Sequence, residues 1–295
     1  MDLPQGLRKY DCVGVGAVAV VLRISDKIVV KYPRRIKDER FKHEIEFYRL
    51  LDSQQLCPDI VPCFLVLPNA IFLSYCSAKS LHERVLSRQI REPTEDHRGR
   101  VISITTKDDV GTVCRWLQQL VSAAAFLEKL CIAHNDLHPR NLLLDQWLNM
   151  KLSDFDSFGK IGEDLPGAPA PYARVLKHGP NRGGFGQCGA RTEQFAIGSI
   201  LYFMLYGYEP YEDTDLDGDE IIDRFQDMRF PELREEDVLE KFVQKCWFEQ
   251  FPSMNALKSE VLASTSDVAT KVEVAQVGSA KEKEICKGIV RSGLF

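Results

Sequence analysis

The chain has 295 residues, 33.6 kDa, 44% hydrophobic and 27% charged residues, a composition and length that suit a folded protein with one large domain or two lobes. A net charge of −5 and a pI near 5.8 exclude a nucleic-acid binder that works through bulk positive charge. No apolar run approaches the ~18 residues needed to span a bilayer, and the N-terminal MDLPQGLRKYDC lacks the apolar core of a signal peptide. The 9 cysteines stand singly, without metal-ligand or redox spacing, which points to reduced thiols in an intracellular protein, cytoplasmic or nuclear.

In chain order, YDCVGVGAVAVVLRI and KIVVKY are β-branched runs, and Ser25-Asp26 between them predicts a hairpin turn. A helix is predicted from about Asp38 to Leu51, where Phe41, Ile45, Tyr48 and Leu51 recur at helical spacing. IVPCFLVL and AIFLSYC predict two more strands turned at Pro68-Asn69. Residues 88–109 are polar and read as a loop between helices. From Val113, the residues Trp116, Leu117, Leu120, Val121, Ala124, Leu127 and Leu130 form a long apolar stripe. Short β-rich pieces flank CIAHNDLHPRNLLLD, and a Gly/Pro-rich segment covers 159–191. Helices are predicted at Glu193–Tyr206 and about Glu236–Phe248. Beyond Ala263 the composition turns polar and small, a linker before a short helix near Glu282–Val290. The pattern predicts an α+β protein with a small β-rich lobe, carrying one helix, and a larger, mainly helical lobe.

CIAHNDLHPRNLLLD and the following KLSDFDSFG carry the chemistry. Phosphoryl transfer needs metal ions on the nucleotide phosphates, an acceptor for the nucleophile's proton, and cations against the phosphates. Mg²⁺ takes oxygen ligands, usually one or two carboxylates plus phosphate. Asp136, Asn141 and Asp154 could supply that set, the first two on one short loop. LLLD and MKLS predict a hairpin that carries Asp154 back toward it.

The pattern H-x-D-L-x-x-x-N followed by D-F, in His134, Asp136, Leu137, Asn141, Asp154 and Phe155, resembles the catalytic loop and metal-binding segment of eukaryotic protein kinases. The resemblance implies a two-lobed kinase fold using ATP and Mg²⁺, with Asp136 as base and Asn141 and Asp154 as metal ligands. Gly14, Gly16 and the alanine at 19 resemble the glycine-rich loop, with Val21 joining the cofactor-binding set. Lys31 is then the cation for the α/β-phosphates, and Glu44 its partner, with Glu46 the runner-up. Phe72 to Cys76 resembles the passage that holds adenine, Leu73 at the back of the pocket and the Tyr75 and Cys76 backbone on the base edge. Glu193 resembles the acid that braces the catalytic-loop backbone. It also suits the dipole at a helix N-terminus.

The resemblance covers roughly residues 10–263. It implies an N-lobe over 1–76, a C-lobe over 77–263, and a tail over 264–295 comprising a polar linker and a short helix. The stretch TEQFAIGSILYFMLYG is similar to divergent kinase-like proteins of filamentous fungi.

Three positions and one missing motif depart from the kinase pattern in and after the catalytic loop. Asn135 stands where many kinases have the arginine that receives an activation-segment phosphate, so phosphate-independent competence is expected. His138 stands where serine/threonine kinases have a lysine, and histidine is a less dependable cation at neutral pH. Asp156 replaces a glycine that would give the backbone wider freedom. No A-P-E closes the segment, and no arginine lies between Trp247 and Ala263 to pair with one. Three readings stay open: a phosphotransferase acting on protein, a small-molecule kinase, and a catalytically silent module that binds partners.

Overall fold

The β-branched runs of the first third become β1 (Asp11–Val15), β2 (Ala19–Arg23), β3 (Ile28–Pro33), β4 (Cys63–Leu67) and β5 (Ala70–Ser74). In the computed structural model, which describes residues 3–54, 57–94, 99–234, 236–271 and 279–293, they form one antiparallel sheet in the order β1-β2-β3-β5-β4. All six residues of β3 are buried. That is why the run shows no polar alternation: both faces of the strand are covered. Between β3 and β4 lies α1 (Glu39–Leu51), started by Asp38, whose side chain accepts the amide of Arg40. The chain divides into two compact units. The first contains this sheet, α1, and residues 143–158, where Leu142–Leu144 pairs with Met150–Leu152. A parallel bridge from Ile60 to Leu152 joins the segment before β4 to that hairpin.

The second unit, Lys79–Leu142 with Gly159–Lys271, is mostly helical. It begins with α2 (Leu81–Leu86), fixed by a capping box in which Ser80 and Glu83 satisfy each other's amides. The region 88–109 is not the simple loop expected. It contains β6 (Gln89–Arg91) paired with β7 (Val101–Ile104). Both strands are short, and Ile90 and Ile102 are exposed, so neither presents a clear apolar alternation. Glu212 pins them instead, through an ion pair to Arg91 (2.7 Å) and its carbonyl on the Val101 amide (2.8 Å). The apolar stripe becomes α3 (Val110–Lys129), capped by Asp109. Then follow α4 (Ala190–Tyr206), α5 (Gly218–Gln226), α6 (Val238–Trp247) and α7 (Met254–Thr265). Glu128 of α3 accepts the Met254 and Asn255 amides at 2.8 and 3.1 Å, using a carboxylate to cap α7. Against α6, α4 comes so close at Gly198 that a Cβ there would lie 3.0 Å from Cys246 Cβ and Trp247 Cδ1.

The helix expected near Glu282–Val290 is α8 (Ser279–Arg291), and it belongs to the first unit. Glu282, Cys286, Ile289 and Val290 repeat at i, i+4, i+7 and i+8, one stripe of the helix. Cys286 is fully buried in a cluster with Leu7, Val20, Leu22, Ile28, Val30, Tyr32, Phe64, Ala70 and Phe72, with Ile289 and Val290 packed against it. Thus α8 covers one face of the sheet, and Lys27 lies 3.7 Å from the buried Glu282 carboxylate.

Candidate active site

In the first unit, Lys31 sits on β3 opposite Val21 of β2 and Ile71 of β5. Its Nζ reaches Glu44 at 2.7 and 2.6 Å and Asp154 Oδ1 at 2.6 Å. Glu46 faces solvent, so of the two candidate acids α1 offers Glu44. Burial alone would lower the Lys31 pKa, but the Glu44 and Asp154 charges outweigh it and hold the ammonium above its ordinary value. Glu44 is one of four residues that α1 sets in a stripe at i, i+3, i+4 and i+7. Arg40 pairs with Asp156 Oδ2 at 2.8 Å. The His43 Nδ1 lies 3.2 Å from the Asp156 carbonyl, and its ring stacks on Phe158 at 4.0 Å. Phe47 stacks on the fully buried Phe155 at 3.7 Å. One helix face therefore contacts Phe155, Asp156 and Phe158 directly, and reaches Asp154 through the Glu44–Lys31 pair.

The left-handed conformation in this segment belongs to Asp154 (φ 64°), and Asp156 is not among the described residues of positive φ. Glycine's freedom is therefore not needed at 156. The aspartate costs no backbone strain there, and its Oδ1 also accepts from Ser157 Oγ at 2.8 Å.

Of the remaining first-unit candidates, Gly14 lies opposite Val21, and the Gly16 amide donates to Ala19 O at 2.9 Å. Leu73 is buried in β5 opposite Val29. The Tyr75 amide donates to Lys27 O at 2.9 Å; Cys76 follows, buried.

In the second unit, the catalytic-loop residues gather around Asp136. Asn141 Nδ2 donates to the Asp136 carbonyl at 2.9 Å and to its Oδ2 at 3.2 Å. His138 Nδ1 accepts the Arg140 amide at 3.2 Å, which places the ring proton on Nε2, 3.4 Å from Asp136 Oδ2. Burial would raise the Asp136 carboxyl, but the hydrogen bonds from His138 and Asn141 hold it below the usual carboxylate range. His138 thus acts on Asp136 itself. The fully buried His134 accepts the Asp136 amide. Glu193, in the first turn of α4, accepts the His134 and Asn135 amides at 3.2 and 3.1 Å, so both expectations for it hold. Burial pushes its carboxyl up to about 7 against those two amides. Gly159 lies so close to the loop that a Cβ there would be 2.7 Å from Asn135 Nδ2.

The missing A-P-E and its arginine prove to be a reversal of polarity. Glu249, just after α6, accepts from Arg174 Nη2 at 2.8 Å and from Arg191 Nε at 2.8 Å. The arginines lie in the segment and the acid beyond it, the reverse of the usual polarity. Further ties hold the same segment: Ser199 Oγ donates to Pro171 O at 2.5 Å and accepts from Trp247 Nε1, and Tyr172 donates to Glu209 at 2.8 Å.

The structure therefore assembles Lys31, Glu44 and Asp154 in one unit, and Asp136 with Asn141 in the other. Their donor chemistry suits Mg·ATP. Asp154 brings a carboxylate, and Asn141, with its nitrogen turned to Asp136, would offer a cation its oxygen. Among the described residues no group of three or more His, Cys, Asp or Glu could hold a metal ion by itself.

The family model for the protein kinase domain matches residues 8–257. The chain belongs to the protein kinase domain family, and its α+β architecture is that of the family. It is 28% identical over 225 residues to maternal embryonic leucine zipper kinase of Xenopus tropicalis, covering 70% of this chain and 31% of that protein. It is 28% identical over 209 residues to CBL-interacting serine/threonine-protein kinase 24 of Arabidopsis thaliana, covering 68% and 41%. Over a shorter stretch of 111 residues it is 36% identical to CBL-interacting protein kinase 10 of rice, covering 35% and 23%. These relatives are from a frog and from plants, so the kinase likeness does not rest on fungal proteins. The chain spans between about a quarter and two-fifths of their lengths. No helix among the described residues is long and apolar enough to cross a membrane.

Proposed function

We infer that this chain transfers the γ-phosphoryl group of ATP to a hydroxyl on a protein substrate. The observation that carries the reading is the buried pair Lys31–Glu44, with the half-exposed Asp154 carboxylate also within 2.7 Å of the ammonium. Burying such charges is expensive, and well-packed apolar residues would serve stability as well or better. An arrangement that folding does not require is explained by a ligand that does, and the phosphates of ATP are that ligand. Lys31 holds the α/β-phosphates and Glu44 fixes the ammonium. Leu73 would lie behind the base, the Tyr75 and Cys76 backbone would meet its edge, and Gly14, Gly16 and Val21 would lie over the nucleotide. Asp154 and Asn141 would hold Mg²⁺, which would neutralise the phosphate charge. Asp136, kept ionised by His138, accepts the proton of the attacking hydroxyl.

The experiment measures both binding and transfer. Millimolar Mg·ATP should raise the melting temperature, since ligand at about a hundred times its Kd adds roughly 2.7 kcal/mol. Asp136→Asn keeps the side chain's size and should bind nucleotide nearly as well. Its transfer of labelled phosphate to a generic protein substrate should fall by about 10²–10⁴-fold. A melt unmoved by Mg·ATP, or equal transfer by variant and wild type, refutes the reading.

A further inference from the structure

We propose that Arg40 and Asp156 form a latch that holds α1 against the Asp154–Phe158 segment, so that Lys31 is presented to nucleotide already paired with Glu44. They are positioning residues, and the proposal rests on the reading of Lys31 as the phosphate cation. Three observations carry it.

The first is the asymmetry of the pair. The Asp156 side chain is 4% exposed and that of Arg40 55%. If the pair opens, Arg40 recovers full hydration, whereas the carboxylate stays in an environment that does not solvate it. Most exposed ion pairs contribute little because both partners are served by water when apart. Here only one would be.

The second is the helix geometry. Arg40 lies one turn before Glu44, on the same stripe. A rotation or shift of α1 that drew Glu44 from Lys31 would also draw Arg40 from Asp156. Leaving that buried carboxylate with only the Ser157 hydroxyl and no cation is a cost that glycine at this position would not impose. Asp156 thus makes the withdrawn position of α1 unfavourable, where glycine would be indifferent to it.

The third is redundancy at the same residue. His43 meets the Asp156 carbonyl, and Ser157 meets the second carboxylate oxygen. The side chain is therefore oriented rather than merely buried. With this contact built into the sequence, α1 needs no activation-segment phosphate to be held. That accounts for Asn135 occupying the position of a phosphate-receiving arginine.

The test uses the full chain as Arg40→Ala, Arg40→Lys, Asp156→Gly and the double variant Arg40→Ala/Asp156→Gly. Two measurements are made: amide hydrogen exchange without nucleotide, and the kinetics of transfer. Arg40→Ala should raise exchange at least about fivefold in both α1 and residues 153–158, with α3 unchanged. Arg40→Lys should restore most of the protection. If α1 is held in only a fraction of molecules, apparent affinity falls by that fraction while saturating ligand draws it back. The KM for Mg·ATP should accordingly rise severalfold with kcat nearly kept. In the Asp156→Gly background, adding Arg40→Ala should change neither exchange nor KM. Unchanged exchange in Arg40→Ala, or an equally large effect of that substitution without Asp156, overturns the latch. Exchange is read without catalysis. A wild-type chain that transfers no phosphate but loosens in Arg40→Ala would refute the functional reading and leave the latch standing.

Discussion

Replacing Glu249 by alanine should cost far more than replacing one of its partners. Arg174 and Glu249 have side chains 13% and 12% exposed, whereas Arg191 is 79% exposed. Arg191 gains and loses water freely, so Arg191→Ala should cost about 0–1 kcal/mol. Glu249→Ala leaves Arg174 without its anion. The Arg174 Nε is already buried with no hydrogen-bond partner, and what remains is a position 5.6 Å over the Phe195 ring. Breaking a buried pair by removing one partner costs about 3–5 kcal/mol, and the residual exposure here argues for the lower end, ~3 kcal/mol. Urea unfolding followed by circular dichroism would read the difference as separated midpoints. The charge swap Glu249→Arg with Arg191→Glu gives the segment the usual family polarity. It should still fail to recover stability, because Arg174 would face a second guanidinium. Adding Arg174→Ala to the swap should bring the midpoint back toward wild type. Glu249→Ala within about 0.5 kcal/mol of Arg191→Ala, or a swap that recovers with Arg174 in place, would show that the anchor is not built on the buried pair.

Gly198→Val should destabilise by about 1–3 kcal/mol, because the added atoms meet Cys246 and Trp247 where α4 and α6 are already in contact; a midpoint at or above wild type in the same urea assay would refute this. Glu193 has a folded pKa of about 7 against an ordinary 4.5, so between those values the folded chain holds more proton than the unfolded one. Its contribution to stability therefore falls as pH rises through that window, by at most about 3 kcal/mol. The advantage of wild type over Glu193→Gln should shrink from pH 5 to pH 8, and growth of that advantage would reverse the sign argued here. Cys286→Asp should place an unpaired carboxylate in the apolar cluster beneath α8 and lower the melting temperature by several degrees, whereas Cys286→Ala should lower it less; equal melts would mean that α8 is not seated there in solution.

The strands of the first unit, α1, α3 and the loop around Asp136 could be read from the chain because their signals are local. β-branched runs, a 3.6-residue stripe and a motif within one loop all fit in short windows. Glu44 could be preferred over Glu46 for the same reason. What the sequence concealed depends on distant partners. The β6–β7 pair is short and only partly buried, and what pins it is the distant Glu212. Glu249 carries no motif of its own, because the acid lies after the segment and the arginines within it, a polarity that electrostatics allows as readily as the reverse. Arg40 and His43 gave no signal because their partner, Asp156, stood out only as a missing glycine. The capping box of α2 was the exception: Ser80 and Glu83 stand three apart in the sequence, and their local signature could have located that helix.

The seating of α8 has a consequence for how the molecule is made. Leu7 and Cys286 occupy one cluster, so the first unit cannot close until residues near both extremes of the numbering are available. The sheet face lined by Val20, Leu22, Val30 and Phe72 is complete in sequence long before α8 leaves the ribosome. At about 5–20 residues per second, making the roughly 200 intervening residues takes on the order of 10–40 s. During that interval a broad apolar surface waits uncovered. A nascent chain in this condition is a natural client for a chaperone, and a fragment stopped before residue 279 would carry the exposed face permanently.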